Sequence, residues 1–224
     1  MTGLILKLKG YYRFLKMFPE YREKVVLFQV IRGLFFKSEN MRGAHDGEEE
    51  SKQGQGRSGN VDKNTLWLHD HVQSLNKLNM KICTLANKIR TDFGRQCLIV
   101  ESGNWTIAMR LALWSKAHVL FVSTLKDGLY LTCFEYIFVK YLCNDFENSA
   151  MILSEFTGCN SQFVGFYDFN PFQLKTTVAA LEKCLKDSPE EKSARMKRAF
   201  IFTQQRTFRS WVETFLKELK LAYS

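Results

Sequence analysis

Proline is nearly absent from this sequence, with three residues in 224, which excludes collagen-like, mucin-like and proline-rich linker architectures. No C-x-x-C pair occurs either. The six cysteines, Cys83, Cys97, Cys133, Cys143, Cys159 and Cys184, lie far apart in a chain large enough to fold without cross-links. Reduced thiols and a cytoplasmic location are the expectation. Long apolar runs are missing: the stretch from His118 to Leu125 stops at Lys126 and Asp127, well short of the roughly 18 residues of a membrane helix. The N-terminal Leu4-Ile5-Leu6 meets Lys7 and Lys9 too soon for a secretory h-region. No Ser/His/Asp triad or phosphate-loop signature is found. His69 and His71 do not suggest a metal, because residues two apart on a helix point about 200° apart. Acidic residues are outnumbered, 23 to 32, and the formal charge of +9 suits an anionic partner without choosing one.

Apolar residues make up 46% of the chain, enough for one compact domain spanning residues 1–224. The segment from Ser38 to Asn64 stands apart, with Glu48, Glu49, Glu50 and several glycines but almost no core-forming side chain. It reads as a disordered insertion in a surface loop. Before it, Leu4–Leu8 and Val25–Ile31 read as strands flanking a helix that carries Tyr11, Phe14, Leu15 and Phe18. After it, Leu68, Val72, Leu75, Ile82, Leu85, Ile89 and Phe93 form the stripe of a long helix closed by Gly94. A strand over Cys97–Val100 follows, then a helix capped by Asn104 with Ile107, Leu111 and Trp114 inward.

Val119–Ser123 and Met151–Ser154 read as buried strands, separated by a helix bearing Thr132, Tyr136, Val139 and Cys143. Asn170-Pro171 and Ser188-Pro189 each look like a cap with proline at the first helical position. The helices of residues 189–224 are expected to pack back on the sheet, the last one burying Phe208, Trp211, Val212, Phe215, Leu216 and Leu219. This alternation implies an α/β fold with about five parallel strands in a Rossmann-like, doubly wound sheet. Arg206 and Arg209 fall on the outer face of the last helix, so nucleic acid is not the expected partner. Lys192, Arg195, Lys197 and Arg198 read as a solvated helix face.

Ligands of such sheets bind beyond the carboxyl ends of the strands, where helix N-termini present free N–H groups. Two loops lie there: Ser123-Thr124-Leu125-Lys126-Asp127-Gly128 and Ser154-Glu155-Phe156-Thr157-Gly158. Asp127 could accept sugar hydroxyls, the amides after Gly128 could face a diphosphate, and Glu135, about two turns into the helix, could meet a ribose diol. From pattern alone the plainer reading stays open, with Asp-Gly an ordinary turn, Glu135 a solvated charge and Cys133 a small packed residue.

The same residues resemble a known family. Ser123 to Leu131 followed by Glu135-Tyr136 is similar to the S-L-R-D-G-M-N-L-V-x-x-E-Y block of trehalose-6-phosphate synthases. Around it, Lys9-Gly10, Tyr21 to Gln29, Asn87 to Gly94, Leu153 to Gly158 and Phe169-Asn170-Pro171-Phe172 resemble further blocks of that family in order. The resemblance implies the C-terminal, donor-binding half of a GT-B glycosyltransferase, transferring glucose from UDP-glucose to glucose 6-phosphate without a metal or other cofactor. By resemblance, Asp127 would hold glucose hydroxyls, Gly128, Leu129, Tyr130, Leu131 and Thr132 would meet sugar and pyrophosphate, and Glu135 would bind ribose. Lys9 would be the diphosphate lysine, a catalytic role beside Asp127.

Leu4 stands where the family has its diphosphate arginine, Tyr130 where it has asparagine, and Lys126 where it has arginine. The family's acceptor domain has no counterpart here. These departures imply a truncated or degenerate synthase half, with a non-catalytic regulatory or scaffolding subunit of a trehalose synthase complex as the alternative. UDP or UDP-glucose and an intact synthase subunit are the partners so implied, and no membrane is.

Overall fold

The computed structural model describes residues 3–31, 63–128, 130–160, 164–205 and 207–223, with side chains of the long second helix described from residue 73 onward. Most of the Ser38–Asn64 insertion therefore lies outside the described residues; Lys63 and Asn64 open a helix.

The chain begins with helix α1 (Leu4–Met17), followed by a short turn and strand β1 (Leu27–Ile31). Leu4–Leu8 is thus helical, contrary to the strand reading. Alternating apolar residues satisfy both periods over so short a run, but Leu4, Leu8, Tyr11 and Leu15 are the buried positions, and that spacing is helical. Helix α2 (Lys63–Phe93) stops at Gly94, whose φ of 103° suits glycine. Ile82 and Ile89 are buried on its inner face, whereas Leu75 is exposed.

Strand β2 (Leu98–Ser102) and helix α3 (Ile107–Lys116) come next. The cap of α3 is Thr106, whose hydroxyl accepts from the amide of Met109, rather than Asn104. Ile107 and Leu111 face solvent, and Trp114 alone of the expected inner set is buried. Strand β3 (Val119–Val122), helix α4 (Thr132–Leu142) and strand β4 (Ala150–Ser154) follow the expected order. Strand β5 (Tyr167–Phe169) is an addition. Three residues carry too little pattern to be read in advance.

Helix α5 (Leu174–Lys186) starts later than Asn170-Pro171 suggests. Asn170 Oδ1 accepts from the amide of Phe172 in a local turn instead. Helix α6 (Pro189–Gln205) does begin at its proline, and Ser188 Oγ accepts from the amide of Glu191. Helix α7 (Phe208–Ala222) has no buried residue, and Phe208, Trp211, Phe215, Leu216 and Leu219 are exposed, which reverses the expectation that it closes the core.

Among the described residues all strand pairs are parallel, as the α/β alternation predicts, but the five strands form two sheets: β1 with β2, and β3-β4-β5 in that order. One hydrophobic cluster beneath α1 spans both, joining Leu8, Tyr11, Phe14 and Leu15 to Ile31, Leu98, Ile152 and Val178. A second, with Trp114, Val122, Tyr136, Met151 and Met196, lies under α4 and α6 on the opposite side. Helices therefore cover both faces. No helix of the described residues is long and apolar enough to cross a membrane.

Candidate functional site

The loops leaving β3 and β4 meet at the carboxyl end of the sheet, in front of α4. Thr124 and Thr157, both buried, share a hydrogen bond of 2.8 Å between their hydroxyls. Beside them Gly158 is packed on the carbonyl of Gly128 so closely that a Cβ on Gly158 would fall 1.3 Å from that oxygen. Only glycine permits two backbones to approach like this. Below, the amide of Thr157 donates to Ser154 O and Asn160 Nδ2 donates to the same carbonyl, so the β4 loop is a closed turn.

Asp127 emerges half-buried from this junction. Gly128 is exposed, and a Cβ there would meet nothing within 4 Å, which leaves its outer side open to a ligand. Leu129 lies outside the described residues. Tyr130 and Thr132 are half-buried and Leu131 is exposed at the start of α4, whose N-cap position, Leu131, makes no side-chain capping bond. First-turn N–H groups here point outward with the positive end of the helix dipole behind them.

Glu135 sits in that first stretch of α4 and is paired with Arg110 of α3 at 3.2 Å, both partly exposed. Arg110 also lies over the Trp114 ring, 5.2 Å from its centroid. Arg110 is a residue that the sequence reading missed. Its position relative to Glu135 depends on how α3 packs beside α4, which no local spacing reveals.

Cys133, at the second position of α4, is buried and donates to Cys159 from the neighbouring loop; that bond, with burial, holds its thiol well above the usual range. It is a packed residue, as its 0% exposure shows.

Lys9 is not brought to this site. The N-terminal end of α1 does touch the β3 loop, since a Cβ on Gly3 would lie 2.0 Å from Ser123 O. Lys9, however, is exposed on the far face and lines an open groove of about 670 Å³ with Tyr12, Arg13, Lys16, Lys88 and Leu174. The lysine that α1 turns inward is Lys7. Its ammonium donates to Phe121 O at 2.7 Å and to Gln29 Oε1 at 3.0 Å, and desolvation pulls its pKa down from 10.5 to about 8. No group of three or more metal-ligating side chains occurs among the described residues.

The glycosyltransferase family 20 model matches residues 63–221. The chain belongs to glycosyltransferase family 20. A UDP-forming alpha,alpha-trehalose-phosphate synthase of Yarrowia lipolytica is 34% identical over 110 residues, covering 49% of this chain and 23% of that protein. A regulatory subunit of the trehalose synthase complex of Saccharomyces cerevisiae is 31% identical over 213 residues, covering 95% of this chain and 17% of that protein. The fold matches a UDP-forming trehalose-phosphate synthase from Burkholderia xenovorans with a TM-score of 0.74 at 20% identity, covering 100% of this chain and 42% of that one. The N-terminal domain of the Candida albicans trehalose-6-phosphate phosphatase matches with a TM-score of 0.71 at 22% identity, again over 100% of this chain and 40% of that one. This family-20 chain thus spans about a fifth of the length of its curated relatives and about two-fifths of the solved structures, with the GT-B half-fold expected from its motifs.

Proposed function

We propose that this family-20 chain is a donor-binding half of a trehalose-6-phosphate synthase-like glycosyltransferase, holding UDP-glucose or UDP where the β3 and β4 loops meet α4. The observation that carries the reading is the glycine-on-glycine junction of Gly128 and Gly158, which fixes both loops while leaving Gly128 and the uncapped start of α4 open. Asp127 accepts hydroxyls of the glucose. The backbone from Gly128 to Thr132 faces the diphosphate, whose negative charge suits the amides and dipole of a helix N-terminus. Glu135 accepts the ribose diol after giving up part of its pairing with Arg110. No metal or other cofactor enters this scheme, and the setting is cytoplasmic.

A regulatory or scaffolding role, in complex with an intact synthase subunit, is favoured by one specific observation. The likeness to the yeast regulatory subunit runs over 95% of the chain at 31% identity.

Both roles retain nucleotide binding, so a UDP titration tests the site itself. UDP at millimolar concentration raises the melting temperature of the chain, and Glu135→Ala abolishes the rise. An unchanged melting temperature, or a rise that survives Glu135→Ala, sinks the assignment. Co-expression with an intact synthase then separates the roles: a stable complex or altered synthase kinetics supports the regulatory one.

A further inference from the structure

Helix α1 is packed between α2 and α5. Leu8, Tyr11, Phe14 and Leu15 fill its inner side, and on one flank Gly10 lets α5 come so close that a Cβ there would stand 2.5 Å from Thr177 Cγ2. The outer side of α1 is the floor of the open groove of about 670 Å³ that Lys9 lines, with α2 and the start of α5 as its walls. The charge of this groove has one sign. Lys9, Arg13 and Lys16 follow the spacing i, i+4, i+7 along the floor, Lys88 of α2 joins them, and among the described residues no carboxylate lines it. Asp92, one turn beyond Lys88, accepts from Tyr12 Oη at 2.9 Å and is thereby engaged. Elsewhere the basic side chains of helices are matched, since Arg110, Lys140, Lys186, Arg195 and Arg209 each hold a carboxylate. Among the described residues Lys9, Arg13 and Lys16 hold none. Like charges three and four residues apart on a helix repel each other, and α1 has no acidic residue to relieve them. Between the charges the groove is apolar. Tyr12, Leu85 and Leu174 make that part, and Lys88 Nζ lies over the Tyr12 ring, 5.1 Å from its centroid.

We infer that this groove docks an acidic amphipathic helix of a partner protein, its carboxylates on Lys9, Arg13, Lys16 and Lys88 and its apolar side chains on Tyr12, Leu85 and Leu174. The row from Lys9 to Lys16 is about 10 Å long at the rise of an α-helix, which matches about two turns of a facing helix and exceeds the span of one phosphate group. Acidic residues three and four apart on such a helix meet the row, and its apolar stripe seats between the walls. A lipid surface is flat and does not enter a floor flanked by two helices, and a nucleic-acid backbone offers nothing apolar to Leu85 and Leu174. The unpaired cations steer the encounter and fix its orientation, while the apolar contacts set how long the complex lasts. None of these residues belongs to the donor site proposed above.

The probe is a fluorescein-labelled helical peptide of about four turns, with glutamate on one face and leucine on the other, titrated with the full chain and read by anisotropy. A scrambled peptide of the same composition and a peptide with lysine for glutamate are the controls. The acidic amphipathic peptide binds, the scrambled one binds about tenfold more weakly, and the lysine peptide does not bind. Lys9→Gln, Arg13→Gln and Lys16→Gln together weaken binding about tenfold, whereas the same loss of charge on α6 and α7, through Lys197→Gln, Lys217→Gln and Lys220→Gln, leaves it within about twofold. Reversing the signs restores it: the chain with Lys9→Glu, Arg13→Glu and Lys16→Glu takes the lysine peptide in preference to the acidic one. No binding of the acidic peptide overturns the proposal. Equal weakening by both glutamine variants, or equal binding of the scrambled peptide, also overturns it, since the overall charge of +9 then suffices. Phosphatidylserine vesicles or a DNA duplex that bind more tightly than the peptide, and lose that binding in the Lys9, Arg13 and Lys16 variant, overturn the assignment to a protein helix. None of these readings uses UDP, so failure of the donor-site proposal leaves the result interpretable.

Discussion

Thr124 and Thr157 are joined by a buried hydrogen bond of 2.8 Å between their side-chain hydroxyls, and through it the loops after β3 and β4 behave as one unit. Removing one partner strands the other. Thr157→Val leaves the Thr124 hydroxyl buried without its partner and costs about 1–3 kcal/mol, whereas the double variant Thr124→Val with Thr157→Val costs less than the sum of the single changes. Urea denaturation of the four proteins checks this; strictly additive losses would mean that the two hydroxyls are not coupled.

Gly158→Ala places a methyl group 1.3 Å from Gly128 O, a contact that only backbone displacement can relieve. Stability falls by about 2–3 kcal/mol, toward the upper end of overpacking losses, and the response to UDP is lost with it. A variant as stable as the parent would show that the loops are not in contact in solution.

Burial penalises the charge of the Lys7 ammonium and pulls its pKa down from the ordinary 10.5 to about 8 in the folded chain. Between those two pH values the unfolded chain holds more protons than the folded one, so this residue adds stability as pH rises through the interval and detracts from it below. Melting temperatures at about pH 7.5 and about pH 9.5 therefore diverge between the parent and Lys7→Met, the parent gaining relative to the variant. Parallel pH curves would contradict the buried placement of the ammonium.

The chain alone makes no trehalose 6-phosphate from UDP-glucose and glucose 6-phosphate. Orienting an acceptor against the anomeric carbon contributes about 7–11 kcal/mol to such reactions, and the chain spans 42% of the solved synthase that it matches. Coupled UDP-release and product chromatography are the measurements. Steady turnover would refute the expectation.

Much of the half-fold could be read from the sequence because its signals are local. Gly94 ends α2, Pro189 begins α6, and the apolar runs of β3 and β4 fall where expected. What was not legible depends on tertiary context. Leu4–Leu8 alternates like a strand, and only the packing of α1 over both sheets reveals which leucines are inside. Lys9, which the family resemblance assigned to the diphosphate, lines the groove with Lys88. Asp127 and Glu135 could be proposed together because a loop and the helix after it are continuous in sequence. Arg110 and the contact of Gly158 with Gly128 join separate segments, and no spacing announces them.

Helix α7 holds its rings in a ladder, with Phe208, Trp211 and Phe215 stacked at 5.9 and 5.6 Å and more than half of each ring-bearing side chain in water. Stacking along one face aligns the rings with each other, on a helix with no fully buried residue. Solubility and stability are therefore governed by different parts of this molecule. Cutting the chain before Thr207 would remove much of its stickiness while leaving both hydrophobic clusters whole, and a dye that reports exposed apolar surface would register the loss although the melting curve would not.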